Sequence, residues 1–244
     1  MNLGAHITVL EVISVSDLHK RVVSGIAMGL IALAAFIFWD GIPFKIFYGI
    51  VAILAIAELL ANYHIVRLYT KSTFYVMLEC ILTVFGAYVI CAHFSRATII
   101  AAIVIAFIND IGAYFVGKFL HGKFFKSRPF PATSPNKSWE GLIGGAIFGF
   151  IGCVICLHLK LIPTQNVGFW VILTLTGWFV AVVGDWLESK TKRKLGIKDS
   201  GDILREQPIL RVAEKLTEGH GGFLDRIDSL NTVAIYIFIL LQIF

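Results

Sequence analysis

The residues of this sequence that are best suited to chemistry are concentrated between positions 187 and 229. A run of basic side chains comes first, and Lys and Arg are the residues that bind phosphate oxygens. Aspartates follow, and carboxylates are the ligands with which proteins hold Mg²⁺ next to a substrate phosphate. Because the accompanying glycines allow a close backbone approach to a ligand, the pattern predicts a site for magnesium and a nucleoside triphosphate. The residues are Lys190, Lys192, Arg193, Lys194, Lys198, Asp199, Gly219, Gly221, Gly222, Asp225 and Asp228.

Each part of this pattern also has a simpler interpretation. A basic run beside an apolar segment is typical of an anchor on the inner side of a membrane, where it attracts anionic lipid. Asp225 and Asp228 are equally compatible with ion pairs to Arg226 in a solvated loop. His220, in a glycine-rich turn, is more often a hydrogen-bonding turn residue than a ligand or a base. Only the joint occurrence of these features, in this order, favours a binding site.

A second polar stretch, residues 117–141, follows an apolar run that closes with Asp110. An acidic side chain in a membrane helix is costly unless it is paired or functional. In the polar stretch Lys137 is placed to reach phosphate oxygens, and Glu140 is suited to the N-terminus of the next helix. Asp185 closes a further apolar run, so we expect its carboxylate at the same membrane depth as the first site.

The sequence resembles the phosphatidate cytidylyltransferases, also called CDP-diacylglycerol synthases. Their signature begins Ser-x-x-Lys-Arg-x-x-x-x-Lys-Asp and continues, after a short link, with His-Gly-Gly-x-x-Asp-Arg-x-Asp. The stretches that begin at Asp110 and Ser134 are also similar, so the likeness covers most of the chain from about Lys20 to Ser229. The matching residues are Ser189, Lys192, Arg193, Lys198 and Asp199 in the first half, and His220, Gly221, Gly222, Asp225, Arg226 and Asp228 in the second.

The resemblance implies transfer of the cytidylyl group of CTP to phosphatidic acid, giving CDP-diacylglycerol and pyrophosphate with Mg²⁺ as cofactor. A second metal or a monovalent cation is compatible with the number of carboxylates. The implied partners are CTP, phosphatidic acid and the lipid bilayer, with no nucleic acid, and a homo-oligomer is left open. The implied catalytic residues are Lys198, Asp199, Asp225 and Asp228, and the implied metal ligands are Asp199, Asp225, Asp228 and Asp185. The implied phosphate- and substrate-binding residues are Lys137, Ser189, Lys192, Arg193, His220, Gly221, Gly222 and Arg226.

The two signature halves lie further apart than is usual in that family. The extra interval covers residues 205–218, and Glu218 stands where the family has proline. Apolar residues recur in this interval at the spacing of one helix face, which predicts an amphipathic helix on the membrane surface. They are Ile209, Val212, Ala213 and Leu216.

The composition indicates which elements position these residues. Apolar residues make up 57% of the 244 and charged residues 15%, whereas soluble proteins average about 45–50% and about 25%. We therefore expect an all-α polytopic membrane protein, with residues 1–244 in a single embedded domain and the site on its cytoplasmic face. About seven segments have the length and apolarity of a membrane span. They are Val22–Trp39, Phe44–Ala61, Phe74–Ala92, Thr98–Val116, Leu142–Leu161, Val167–Trp186 and, less than full length, Leu230–Phe244.

The distribution of basic residues predicts the orientation. Of the 21 Lys and Arg residues, 18 fall on one side of the predicted membrane, in residues 1–21, 62–73, 117–141 and 187–229. Only Lys45, Arg96 and Lys160 fall on the other side. Basic residues accumulate in cytoplasmic segments, so we expect a protein of the inner (cytoplasmic) membrane with its N-terminus in the cytoplasm.

Other functions are compatible with the same residues. A CTP-dependent kinase of a lipid alcohol would also need nucleotide, Mg²⁺ and a membrane site, together with a base for the alcohol. A catalytically impaired relative of the family is a further alternative. A transporter or lipid-binding membrane protein would place ionisable residues deep within its spans, and Glu58 and Glu79 are the candidates.

Overall fold

A computed structural model describes residues 42–65, 70–197 and 223–244 of the chain. These residues form helices and connections, without a β-strand among them. The helices are α1 (Ile42–Ile65), α2 (Thr70–Tyr88, continued by a π-helical turn, Val89–His93), α3 (Arg96–Leu120), α4 (Trp139–His158), α5 (Val167–Lys194) and α6 (Asp228–Ile243), with a 3₁₀ turn at Leu224–Arg226 before α6. The predicted first span, Val22–Trp39, and the predicted amphipathic helix at 205–218 lie outside the described residues.

Five helices of the described part are long and apolar enough to cross a membrane. They cover Ile42–Tyr63, Thr73–His93, Arg96–Leu120, Trp139–His158 and Val167–Lys194, and each coincides with a predicted span. The described part of the chain therefore has the architecture of a polytopic membrane protein. Helix α6 has 16 residues, or about 24 Å at 1.5 Å per residue, which is shorter than the roughly 30 Å hydrocarbon core.

Two helices extend further than the apolar runs predict. Helix α3 continues past Val116 to Leu120, and α5 continues past Trp186 to Lys194. The 28 residues of α5 measure about 42 Å, so its last turns extend beyond a hydrocarbon core of about 30 Å. The basic run up to Lys194 is consequently helical. It keeps a fixed spacing relative to Asp185 instead of moving with a loop.

Successive helices run in opposite directions and bring the same ends together. Lys190, near the end of α5, stands over the ring of Tyr75, near the start of α2. At the other end of the bundle, Asn166 before α5 donates a hydrogen bond to the carbonyl of Phe244 after α6. The ends of α1, α3 and α5 and the starts of α2, α4 and α6 thus share one end of the bundle. We call it the polar end, because it carries Asp185 and Asp228.

Among the described helices, α3 and α4 form the most closely packed pair, and small residues make this possible. Gly141, Gly145 and Gly149 recur every fourth residue on α4, the spacing that lets membrane helices approach closely. A Cβ added at Gly144 would lie 2.4 Å from Cβ of Val116 on α3. The pairing fixes the start of α4, and with it Lys137, relative to the polar half of α3.

Candidate active site

Three carboxylates meet at the polar end, where α5 packs on the start of α6. Asp185 and Glu188 lie three residues apart on α5 and therefore share a helix face. Asp228 is the first residue of α6. One carboxylate oxygen from each of the three lies within 4.8 Å of the others. Like charges at this separation repel each other, so the cluster favours a cation between them.

A close helix approach brings these carboxylates together. Gly184, the residue before Asp185, faces α6, and a Cβ added there would lie 2.4 Å from Oγ1 of Thr232 and 2.9 Å from the carbonyl oxygen of Asp228. The hydroxyl of Thr232 in turn bonds to that carbonyl at 3.2 Å. Glycine at position 184 therefore sets the separation of Asp185 and Asp228.

Two lysines place positive charge against this cluster. The Nζ atom of Lys192 lies 2.7 Å from Oε1 of Glu188 and 3.0 Å from Oδ1 of Asp225. The Lys192 side chain is only 12% exposed, so the solvent screens these ion pairs little. Lys137, before α4, forms an ion pair with Asp185. The site thus combines four carboxylates and two lysines. They come from three parts of the chain: α5, the turn that leads into α6, and the segment before α4.

The turn that carries Asp225 is tied to α1. Glu58, a buried residue of α1, accepts hydrogen bonds from the backbone N–H of Phe223 at 2.8 Å and of Leu224 at 3.2 Å. A carboxylate that accepts backbone N–H groups forms strong, charge-assisted hydrogen bonds. Glu58 therefore fixes the start of the turn from which Asp225 and Asp228 project.

The connection between α3 and α4 is held against the site by its own contacts. Oε1 of Glu140, in the first turn of α4, accepts hydrogen bonds from the N–H groups of Phe124 at 3.1 Å and Phe125 at 3.0 Å. Arg193 donates from Nε to the carbonyl of Thr133 at 3.2 Å. Glu140 thus does more than interact with the helix dipole, because it binds a loop that borders the acid cluster.

The donor set fits a hard divalent cation. Mg²⁺ prefers oxygen ligands and is held by one or two carboxylates together with substrate phosphates. Asp185, Glu188 and Asp228 offer such oxygens, and Lys137 and Lys192 add positive charge beside them. Asp185 and Asp228 are predicted as metal ligands from the sequence, and the structure places both in this cluster together with Glu188, which the sequence analysis does not name.

The structure brings several of the predicted residues together. Asp185, Asp225, Asp228, Lys137 and Lys192 all lie at the cluster. Ser189 is half-buried one turn after Asp185. Arg193 donates to the carbonyls of Thr133 and Ile197, which places it at the edge of the site. Lys198, Asp199, His220, Gly221 and Gly222 lie outside the described residues, as does the side chain of Arg226.

Lys190 occupies a different environment from the other basic residues of α5. Its Nζ lies 4.4 Å from the ring centroid of Trp186 and 5.0 Å from that of Tyr75. A cation over aromatic rings at these distances is stabilised by their π electrons. For this residue the anchoring interpretation of the basic run fits better than phosphate binding.

Glu188 and Glu58 are site residues that the sequence analysis did not identify as such. Glu188 follows Asp185 by three residues, so extending the helix through the basic run would have placed both carboxylates on one face. Glu58 gives no comparable signal, because its partners are backbone N–H groups 165 residues away. From the sequence, Glu58 is a candidate only for the transporter alternative.

Comparison with known proteins identifies the family of this chain. The sequence model of the cytidylyltransferase family matches residues 62–244. The chain is 38% identical to a phosphatidate cytidylyltransferase of Haemophilus influenzae over 125 residues, covering 50% of this chain and 38% of that protein. It is 39% identical to one of Helicobacter pylori strain J99 over 160 residues, covering 64% and 50%. A third, from Brucella suis, is 35% identical over 153 residues, covering 62% and 49%.

The chain thus spans about half the length, or less, of these curated relatives. The family match covers most of the chain, from the last turn of α1 through α6. It confirms the likeness that the two signature halves predict. This chain belongs to the cytidylyltransferase family.

Proposed function

We propose that this chain is a phosphatidate cytidylyltransferase, which transfers the cytidylyl group of CTP to phosphatidic acid. The observation that carries the proposal is the cluster of Asp185, Glu188 and Asp228, with Lys137 and Lys192 beside it, at one end of a bundle of membrane-spanning helices. A reaction between two phosphorylated substrates, one of them a lipid, needs a site of this kind. The names of the curated relatives support the choice of substrates.

In this reaction a phosphate oxygen of the lipid forms a bond to the α-phosphorus of CTP, and the bond from that phosphorus to the bridging oxygen of pyrophosphate breaks. A phosphate monoester is largely ionised at neutral pH, with a second pKa of about 6, so the nucleophile needs no general base. A divalent cation held by the carboxylates would neutralise charge on the phosphate oxygens. Lys137, which pairs with Asp185, would bind phosphate, and Lys192 holds Asp225 and Glu188 in place.

The remaining predicted residues are part of the same proposal. Asp199 and Asp225 are proposed as further metal ligands, and Lys198 as a phosphate-binding residue next to Asp199. His220, Gly221 and Gly222, which precede Phe223 in the sequence, are proposed as further phosphate-binding residues. We propose Mg²⁺ as the physiological metal, because it is the divalent cation that typically accompanies nucleotide phosphates.

The proposed topology has seven spans in one embedded domain of the inner (cytoplasmic) membrane. The N-terminus and the polar end lie on the cytoplasmic side. The basic residues support it, since the described ones are concentrated near the polar end and only Lys45, Arg96 and Lys160 lie near the other end. This orientation would expose the site to cytosolic CTP and to lipid headgroups of the inner leaflet.

The decisive experiment measures whether radioactive phosphorus from CTP, placed at the α or at the γ position, is incorporated into lipid. The purified full-length chain, with Mg²⁺ and phosphatidate, should incorporate label from the α-phosphorus of CTP and none from the γ-phosphorus. A lipid-alcohol kinase would show the opposite pattern with an alcohol acceptor. An Asp228→Asn variant is the control for contaminating activity. Absence of α-label in lipid with every phosphatidate tested would exclude the proposed function.

A further inference from the structure

A cavity of about 580 Å³ opens beside the acid cluster. Its walls are the polar half of α3, the connection that Glu140 holds, the start of α4 and α5. The volume falls within the roughly 300–1,000 Å³ typical of small-molecule sites. Six residues with acidic or basic side chains line it, namely Asp110, Lys118, His121, Arg128, Lys137 and Asp185.

The inner part of this cavity is acidic and continuous with the cluster. Asp110 lies ten residues before the end of α3, about 15 Å along the helix, and its side chain is nevertheless exposed. Ionisable residues within membrane helices face the bundle interior or a water-filled cavity, and Asp110 lines this cavity. Asp110, Lys137 and Asp185 line the same cavity, and Asp185 belongs to the acid cluster. Asp110 therefore extends the acid cluster into the cavity.

The outer part of the cavity is basic. Lys118, at the end of α3, and Arg128, in the connection to α4, are both exposed there. Lys137 stands between the two parts, because it lines the cavity and pairs with Asp185. A ligand in this cavity would meet carboxylates at its inner end and cations at its outer end. That order suits an anion that carries a divalent cation on one side.

We propose that this cavity binds the metal-bound triphosphate of the nucleotide, with Lys118 and Arg128 as phosphate-binding residues. This assignment rests on the proposed function, because it assigns the cavity to one of the two substrates of that reaction, CTP, and not to the lipid phosphate. A phosphate monoester carries a charge of only about −1.5 to −2, whereas a triphosphate carries more charge along a greater length. Cations distributed from Lys137 to Lys118 and Arg128 therefore match the triphosphate better than the lipid phosphate.

Equilibrium binding of CTP to the purified full-length chain, with Mg²⁺ present, tests this assignment. Lys118→Gln and Arg128→Gln should each weaken CTP binding about tenfold, because each removes a hydrogen bond between two charged groups. Binding of CMP should weaken much less. Lys126→Gln is the matched control, since Lys126 is an exposed basic residue of the same connection that does not line the cavity. Unchanged thermal unfolding would show that the variants fold.

Steady-state kinetics then separate the two substrates. The KM for CTP should rise in both variants while the KM for phosphatidate stays unchanged. A rise in the KM for phosphatidate alone would assign the cavity to the lipid phosphate and overturn the proposal, as would unaltered CTP binding in both variants. If the wild-type chain binds CTP through these residues but transfers nothing to phosphatidate, the proposed function fails while the cavity assignment stands.

Discussion

Glu58 and Phe223 are 165 residues apart in the sequence, yet the carboxylate of Glu58 accepts hydrogen bonds from the N–H of Phe223 at 2.8 Å and 3.0 Å. The bond joins α1 to the turn that carries Asp225 and leads into Asp228. Both partners are buried, so no water replaces the bond when it is lost. The geometry of the acid cluster therefore depends on a helix that contributes no residue to it.

Glu58→Gln should lower kcat at least about tenfold, because its amide NH₂ would oppose a backbone N–H and weaken a bond worth about 1.5–3 kcal/mol. KM values should change less than kcat, since Glu58 does not touch substrate. Tyr63→Phe is the control, because it removes only the 2.9 Å hydrogen bond between Tyr63 and Thr73 at the same end of α1. A normal kcat in Glu58→Gln would show that the turn is positioned without it.

Asp185→Asn and Asp228→Asn should each raise the Mg²⁺ concentration needed for half-maximal activity and lower the maximal rate strongly. An amide is a poorer ligand for Mg²⁺ than a charged carboxylate. Glu188→Gln should act in the same direction if its oxygen belongs to the cluster. The measurement is the rate of cytidylyl transfer across a Mg²⁺ titration. An unchanged Mg²⁺ dependence in all three variants would contradict a metal site at these residues.

Lys192→Gln should be more damaging than Lys194→Gln. Lys192 is 12% exposed and pairs with Glu188 and Asp225, whereas Lys194 is exposed at the end of α5. Removing one partner of a buried ion pair costs about 3–5 kcal/mol, so both thermal stability and activity should fall. Thermal unfolding and turnover of both variants provide the comparison. Equal effects would mean that the basic run acts as one diffuse patch.

Gly184→Ala should reduce activity sharply, because its Cβ would lie 2.4 Å from Oγ1 of Thr232 and force α6 away from α5. Gly49→Ala is the matched control, since a Cβ there meets nothing within 4 Å. In the control, alanine should stabilise the helix by about 0.5–1 kcal/mol. Adding Thr232→Ala to Gly184→Ala should restore part of the activity. Full activity in Gly184→Ala alone would show that the spacing of Asp185 and Asp228 is not critical.

Tags inserted after Lys126 and after Lys215 should both report the cytoplasm, and one near Thr164 should report the opposite side. Lys126 lies in the connection before α4, at the polar end, and Thr164 lies between α4 and α5, at the other end. Protease accessibility in sealed vesicles measures this. Access to the Lys126 tag from outside would reverse the orientation and remove the site from cytosolic CTP.

The sequence by itself determined the membrane class, five of the spans within the described residues, and the residue types of the site. Long apolar runs predict helices in a bilayer because an unpaired backbone N–H or C=O is too costly there. Order and spacing alone single out Asp225, Asp228 and Lys192 as candidates, and the structure places them close together. This was possible because their chemistry is local: a basic run, an acidic turn and glycines lie within one stretch of chain.

Only the tertiary structure decided which charges meet. That Lys192 pairs with Glu188 and Asp225, and Lys137 with Asp185, follows from the rotation of α5 and from the close approach that Gly184 permits. Such pairings depend on contacts between segments distant in the chain, and hydrophobic periodicity does not encode them. The role of Glu58 is the clearest case, because a buried carboxylate whose partners are backbone N–H groups has no signature in the sequence of either segment.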